Sequence, residues 1–387
     1  MATGRITIYD LRLTNRSPLP RDLFILHSSF FILLLFLAAC SSVRPVTKIG
    51  LIAPFEGLHR DTGYTALAAM RAAIVETPGQ VNSAVDLLPL ALDDSGEPAR
   101  TQRATQKLLV DSTVVAVIGP LAPASLAQME RALPQNRSVV WLAPFLINPQ
   151  GGFVEPAQAL AEPALYNAWA IDLLAAVAHT LPAQKVSHLV LAGGQSTHSG
   201  WPQLSTAQWQ QVVELPVLVT DDLNQLQPGD ALFWLGNAEE GATFLTRLRQ
   251  QGREMPFWLG PAGGDPIFAQ RAINLPSGKL NLSNLRNVYW ATWVGEEYTT
   301  WAVDHAPASP AAYQVYAATR LAIQRVLPTG QRVAIASEFP KWRIQYFAYT
   351  ATGESVEYTV NNHNLSVTHV TQVTFPPPLA RPPGAGN

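Results

Sequence analysis

The sequence predicts an α/β chain of two lobes, each a mainly parallel sheet flanked by helices. Three observations carry that expectation. From Lys48 onward, short apolar runs alternate with stretches of helical periodicity. Each apolar run ends in a polar loop marked by glycine or proline. The alternation restarts after Ala157, as a second set of strands and helices would require.

Taken in order, Ile49, Leu51 and Ile52 form a buried strand bounded by Gly50 and Pro54. Phe55 to Gly63 reads as a loop, and Leu67, Met70, Arg71 and Ile74 place a helix from Tyr64. Val85–Leu92 is a second strand, and Pro98, at the favoured first helical position, opens a helix through Leu109. Val114–Ile118 is a third strand, followed by the loop Gly119–Ser125 and a helix over Leu126–Leu133. Val139–Leu142 is a fourth. In the second half, Tyr166–Leu181 is helical and His188–Ala192 is a strand leading into Gly193–Gly200. Helical periodicity covers Trp209–Glu214, and a strand covers Pro216–Thr220. Asp230–Leu235 and Phe257–Leu259 are further strands, with a helix over Thr243–Gln251 between them. Ala311–Leu327 is a long helix, and Lys341–Tyr349 with Ser355–Val360 form a hairpin. The Pro- and Gly-rich stretch 376–387 has the composition of a disordered tail.

Composition narrows the function. The 387 residues carry a net charge of −2, and only 14% are charged, so no basic stripe exists to neutralise a phosphate backbone. Nucleic acid is excluded as a partner on that ground. Residues 1–39 contain an apolar stretch, Leu23–Ala39, behind Arg16 and Arg21, and end Leu37-Ala-Ala-Cys40. This is a secretory signal with a lipobox, so Cys40 is the expected lipidation site and 40–47 a linker. An uncleaved membrane anchor is the alternative; either way the folded part is extracytoplasmic and membrane-tethered. Cys40 is the sole cysteine, which removes disulfides and thiol catalysis from the folded part. There is no G-x-S-x-G, H-E-x-x-H, phosphate loop or G-x-G-x-x-G, so no catalysis, cofactor or metal is expected. Asp93-Asp94 reads as an acidic turn before a helix and not as a metal site.

The succession Lys48–Gly63, Leu90–Pro98, Val115–Pro120 and Leu142–Pro144 resembles the type I periplasmic binding proteins, specifically the branched-chain amino acid-binding group that serves ABC transporters. Asp230–Gly236, Leu259–Pro261 and Tyr313–Thr319 continue the match in the same order. The resemblance implies two lobes, 48–157 plus 292–336 and 158–291 plus 337–375, joined by a three-segment hinge near Ala157, Thr292 and Ser337. It also implies closure around a small-molecule ligand, a permease in the membrane as partner, and a monomeric chain. The alternative within this fold is an envelope regulatory or scaffold lipoprotein that has lost solute transport.

In relatives that bind amino acids, the resemblance implies that hydroxyls and N–H groups after the third and fourth strands hold the carboxylate. An acidic residue after the second lobe's Gly-Pro holds the ammonium. Here the expected serine falls on Pro123, with Ser125 two residues on. The expected threonine falls on Ile147, with Phe145 in place of a small residue; the acidic residue falls on Ala262, with Asp265 three positions away. Asn237 stands where an aromatic is expected. Losing these groups argues against a free α-amino acid, because one broken buried charge pair costs roughly 3–5 kcal/mol. The remaining candidates to face the cleft are Arg60 and Asp61 of the opening loop and Thr197, His198 and Ser199 of the second lobe. Arg60 and Asp61 read equally well as an exposed charge pair worth about 1 kcal/mol or less.

Overall fold

The computed structural model describes residues 45–77, 86–126, 139–148, 152–153, 163–181, 186–193, 204–274, 280–305, 309–326, 341–350, 355–361 and 364–373. Val46–Asn387 forms one compact unit. The signal segment, Cys40, Ala157, Ser337 and the 376–387 tail lie outside the described residues.

The first sheet is parallel. Its strands are β1 (Val46–Ala53), β2 (Asp86–Asp93), β3 (Val114–Ile118) and β4 (Val140–Leu142), in the order β2-β1-β3-β4. Helices α1 (Arg60–Glu76) and α2 (Pro98–Val110) make the crossovers. Ile49, Leu51 and Ala53 of β1 are buried on one face against Ala66, Met70 and Ala73 of α1. Ile52 faces the other way, onto Ala104 and Leu108 of α2. Alternate residues of one strand thus serve two helix layers, as a strand covered on both faces must.

A short antiparallel pair follows, β5 (Ile147–Asn148) with β6 (Gly152–Phe153). The second sheet has eight strands in the order β14-β13-β12-β11-β10-β9-β7-β8. Its parallel part comprises β7 (Leu189–Ala192), β8 (Val217–Val219), β9 (Ala231–Trp234), β10 (Phe257–Leu259) and β11 (Val288–Gly295). Antiparallel strands β12 (Trp342–Tyr349), β13 (Ser355–Asn361) and β14 (Asn364–Val373) extend it. Its helices are α3 (Pro163–Thr180), α4 (Thr206–Val213), α5 (Ala238–Gln250) and α6 (Pro266–Ile273). After β11 come α7 (Tyr298–Asp304) and α8 (Pro310–Val326), and α8 packs on α1, β3 and β4, back at the first sheet.

Three passages of the chain between the sheets lie side by side. The Phe153 ring meets Trp342 at 5.2 Å, Gly295 pairs with Trp342, and the Glu296 N–H donates to the Lys341 carbonyl at 3.0 Å. β11 keeps its pairing past Thr292 to Gly295, so the second passage begins just beyond the expected point.

The boundaries differ from the sequence expectation at instructive places. α1 starts at Arg60, four residues before Tyr64, so Arg60 and Asp61 belong to its first turn and not to a loop. Gly63 reads as a loop end but lies inside the helix. A Cβ there would meet the Pro54 carbonyl oxygen at 1.9 Å, so the glycine permits helix and strand end to touch. α5 likewise starts earlier, at Ala238, capped by Asn237. α6 is unexpected, although Asp265-Pro266 is a helix-start pair: the carboxylate caps and proline takes the first position.

Candidate ligand-binding cleft

In open α/β sheets, ligands bind beyond the carboxyl ends of the strands, where the strand order reverses. In the first sheet the reversal lies between β1 and β3, so the loops after Ala53 and Ile118 flank it. In the second it lies between β7 and β9, so the loops after Ala192 and Trp234 flank it. The strand order alone therefore directs attention to Phe55–His59, Gly119–Ser125, the 194–200 segment and Asn237.

The loop after β1 is pinned by Asp93, the last residue of β2. Its Oδ1 accepts the N–H groups of Phe55 (2.7 Å), Glu56 (3.1 Å) and Ser95 (3.1 Å), and its Oδ2 accepts the Ser95 hydroxyl at 2.8 Å. Burial pushes the Asp93 carboxyl up, but these hydrogen bonds outweigh it and hold its pKa below the ordinary value. Asp94 is fully buried, and burial raises its pKa although the Gly96 N–H (2.9 Å) and Thr101 hydroxyl (3.0 Å) donate to it. Both carboxylates are spent on shaping loops, and among the described residues no acidic, histidine or cysteine cluster could hold a metal ion.

At the end of this loop stands His59, the residue before α1. Its Nδ1 lies 2.9 Å from Oδ2 of Asp265, which stands between the 3₁₀ turn Pro261–Gly264 after β10 and the start of α6. Asp265 uses its other oxygen to accept the Ile267 N–H at 3.0 Å, capping α6. The two side chains are partly shielded, 33% and 22% exposed. The hydrogen bond to Asp265 raises the His59 pKa above 6.5, burial opposes, and the nearby Asp265 charge adds to the rise. Sequence reasoning passed over His59; the only signal was its place in the opening loop, facing the loop that carries Asp265.

The expected site residues are placed as follows. Arg60 and Asp61 face each other at 3.7 Å, with side chains 43% and 45% exposed, as a surface ion pair. Ser125 is completely buried, and its hydroxyl has no hydrogen-bond partner. Pro123 begins the short 3₁₀ turn that ends at Ser125. Phe145 is half-buried against the cluster around Ile52, Trp141 and Leu142's neighbour Ala143. Ile147 is buried in β5. The Asn237 side chain accepts the Glu240 N–H at 2.8 Å, which occupies it as the cap of α5. Thr197, His198 and Ser199 lie outside the described residues. The structure thus joins Asp265 to the loop that precedes Arg60 and Asp61, and does so through His59.

Three solved structures share this architecture. A possible leucine/isoleucine/valine-binding protein from Rhodopirellula baltica superposes with a TM-score of 0.55 at 14% identity, covering 81% of this chain and 96% of its own. A leucine-binding protein from Thermotoga maritima gives 0.55 at 16%, covering 84% and 98%. A branched-chain amino acid transporter substrate-binding protein from Streptococcus pneumoniae, solved with isoleucine, gives 0.55 at 15%, covering 84% and 99%. The chain has the type I periplasmic binding protein fold. No protein-family model matches the sequence, and no curated protein matches it.

The His59–Asp265 bond joins the segment after β1 of the first sheet to the segment after β10 of the second. A cavity of about 400 Å³ lies elsewhere, at the amino end of β11, lined by Leu282, Ser283, Arg286 and Tyr289 among others.

Proposed function

We propose that the chain is an extracytoplasmic solute-binding lipoprotein, the receptor subunit of an ABC importer. It binds a small molecule between its lobes by hinge closure, without catalysis. The observation that carries this reading is the convergence of loops from both sheets at their carboxyl ends, with His59 and Asp265 in contact across the gap. The likeness in fold to solute-binding proteins over nearly their whole length supports it. A closed state needs little free energy to compete with an open one, so a ligand touching both lobes shifts the balance.

The ligand in this reading is not a free branched-chain amino acid. The cleft loops place a proline, a buried isoleucine and an alanine where the resemblance implies a hydroxyl, a second hydroxyl and an acid. The nearest acid, Asp265, already has a hydrogen-bond partner in His59, 2.9 Å away. The same occupancy favours the second reading, a scaffold or regulatory lipoprotein of this fold that no longer takes up a solute.

A thermal-shift screen separates the two. A ligand that binds only the native state raises the melting temperature. The importer reading expects a rise with at least one amide, short peptide or aromatic acid; a flat response across the screen favours the scaffold. Anchoring through Cys40 has its own test. Cys40→Ser should move the protein from the membrane fraction to the soluble fraction, and retention would mean that Leu23–Ala39 is an uncleaved anchor.

A further inference from the structure

We propose that His59 and Asp265 form an ionic latch between the lobes, which holds the cleft closed without a solute and releases it as the imidazole loses its proton. The latch rests on the two-lobed fold alone and does not depend on which solute, if any, the protein binds.

The geometry is specific to this pair. His59 is fixed by the chain on both sides: Asp93 holds Phe55 and Glu56 behind it, and α1 begins immediately after it. Both the Thr62 and Gly63 N–H groups donate to the His59 carbonyl, at 3.0 and 3.3 Å. Asp265 is fixed by capping α6 through Ile267. The Asp265 carboxylate is already held by its cap and the His59 backbone by its neighbours, so the imidazole rotamer is the main freedom lost on forming the bond. The pair is also partly shielded, unlike the Arg60–Asp61 pair beside it.

The neighbouring charges leave the latch to itself. From α5 Glu239 favours the protonated imidazole, and from α6 Arg271 opposes it; these two are bonded to each other at 2.8 Å. From α1 itself Arg60 and Asp61 are paired. From the turn after β2, Gly96 lies beside the ring, whose Cδ2 is 3.6 Å from where a Cβ on Gly96 would sit, while Asp93 and Asp94 are engaged with backbone N–H groups and hydroxyls. Among the described residues, Asp265 is therefore the one carboxylate bonded to the imidazole.

The sign follows from linkage. The His59 pKa is raised in the latched state. The latch therefore contributes fully below 6.5, the ordinary histidine value, and is lost as pH rises through the raised one. Closure is favoured in mild acid and weakened in mild alkali. A solute that enters has to replace the imidazolium at Asp265 or arrive when His59 is neutral.

Single-molecule energy transfer between dyes on the two lobes reads this directly. The protein starts at Ser41, so it lacks Cys40, and carries Val110→Cys on the first lobe and Gln210→Cys on the second, both exposed positions. Without solute, one transfer population is expected at pH 5.5, and a second, shifted population should grow by pH 9. His59→Ala should show the shifted population at both pH values. Asp265→Asn should do the same while keeping the α6 cap, since asparagine caps as well as aspartate. Circular dichroism checks that each variant is folded. His305→Asn is the control: His305 pairs with Glu76 at 2.7 Å, and its pKa is also raised. It should alter stability and leave the transfer distribution alone. A distribution insensitive to pH, or one whose pH response survives both His59→Ala and Asp265→Asn, overturns the latch.

Discussion

Single residues decide how tightly the opening loop is held. Gly63 is the clearest case, because any side chain there runs into the Pro54 carbonyl oxygen. Gly63→Ala should destabilise the protein by about 1–3 kcal/mol, the usual range for overpacking, measured as a lower denaturation midpoint in urea with an unchanged slope. An unchanged midpoint would mean that α1 does not press on the end of β1. Much at this scale was hidden in the sequence. A glycine that ends a loop and a glycine that lets a helix touch a strand look alike as letters, so Arg60 and Asp61 read as loop residues. His59 carried no periodic or motif signal of its own. Its importance arises only when Asp265, 206 positions later in the chain, is brought to its ring.

At the scale of elements, the sequence was far more legible. The aliphatic runs of β1 and β3 and the aromatic-rich runs of β9 and β10 are largely buried, and continuous apolar runs of that kind stand out. α2 announces itself with Pro98 at its first position. Short helices at the rim were missed, α6 and α7 among them, because eight and seven residues hardly complete two turns of periodicity. The passages between the lobes are elements of a different kind, held by long-range hydrogen bonds that no local pattern encodes. Buried Gln314 of α8 donates through its side-chain amide to the Trp293 carbonyl at 2.8 Å, tying a helix on the first sheet to a strand of the second. The Trp293 indole in turn donates to the Trp169 carbonyl at 3.1 Å. Gln314→Leu should cost about 1–3 kcal/mol, because it leaves a buried carbonyl without its donor. Chemical denaturation followed by tryptophan fluorescence would show this as a lower midpoint. A wild-type midpoint would mean that the tie from α8 to β11 contributes nothing to stability.

For the whole molecule, the frame and the contents of the cleft part company. The frame follows from apolar patterning distributed over some three hundred positions, and it survives at 14–16% identity to the solved neighbours. The contents depend on a handful of polar groups in loops, where a shift of one or two residues changes which atom faces the ligand. Ser125 illustrates this: it is the nearest hydroxyl to an expected position, yet it is buried with its oxygen unpartnered. Asp265 illustrates the converse, an acid three positions from expectation that the fold pairs with His59 of the opening loop. The central proposal is a type I binding-protein fold whose cleft does not hold a free branched-chain amino acid. Its most direct test is the melting temperature of the protein from Ser41 onward, measured at pH 7 with leucine, isoleucine and valine at millimolar concentration. No rise is expected with any of the three; a clear, saturable rise with one of them would contradict the account.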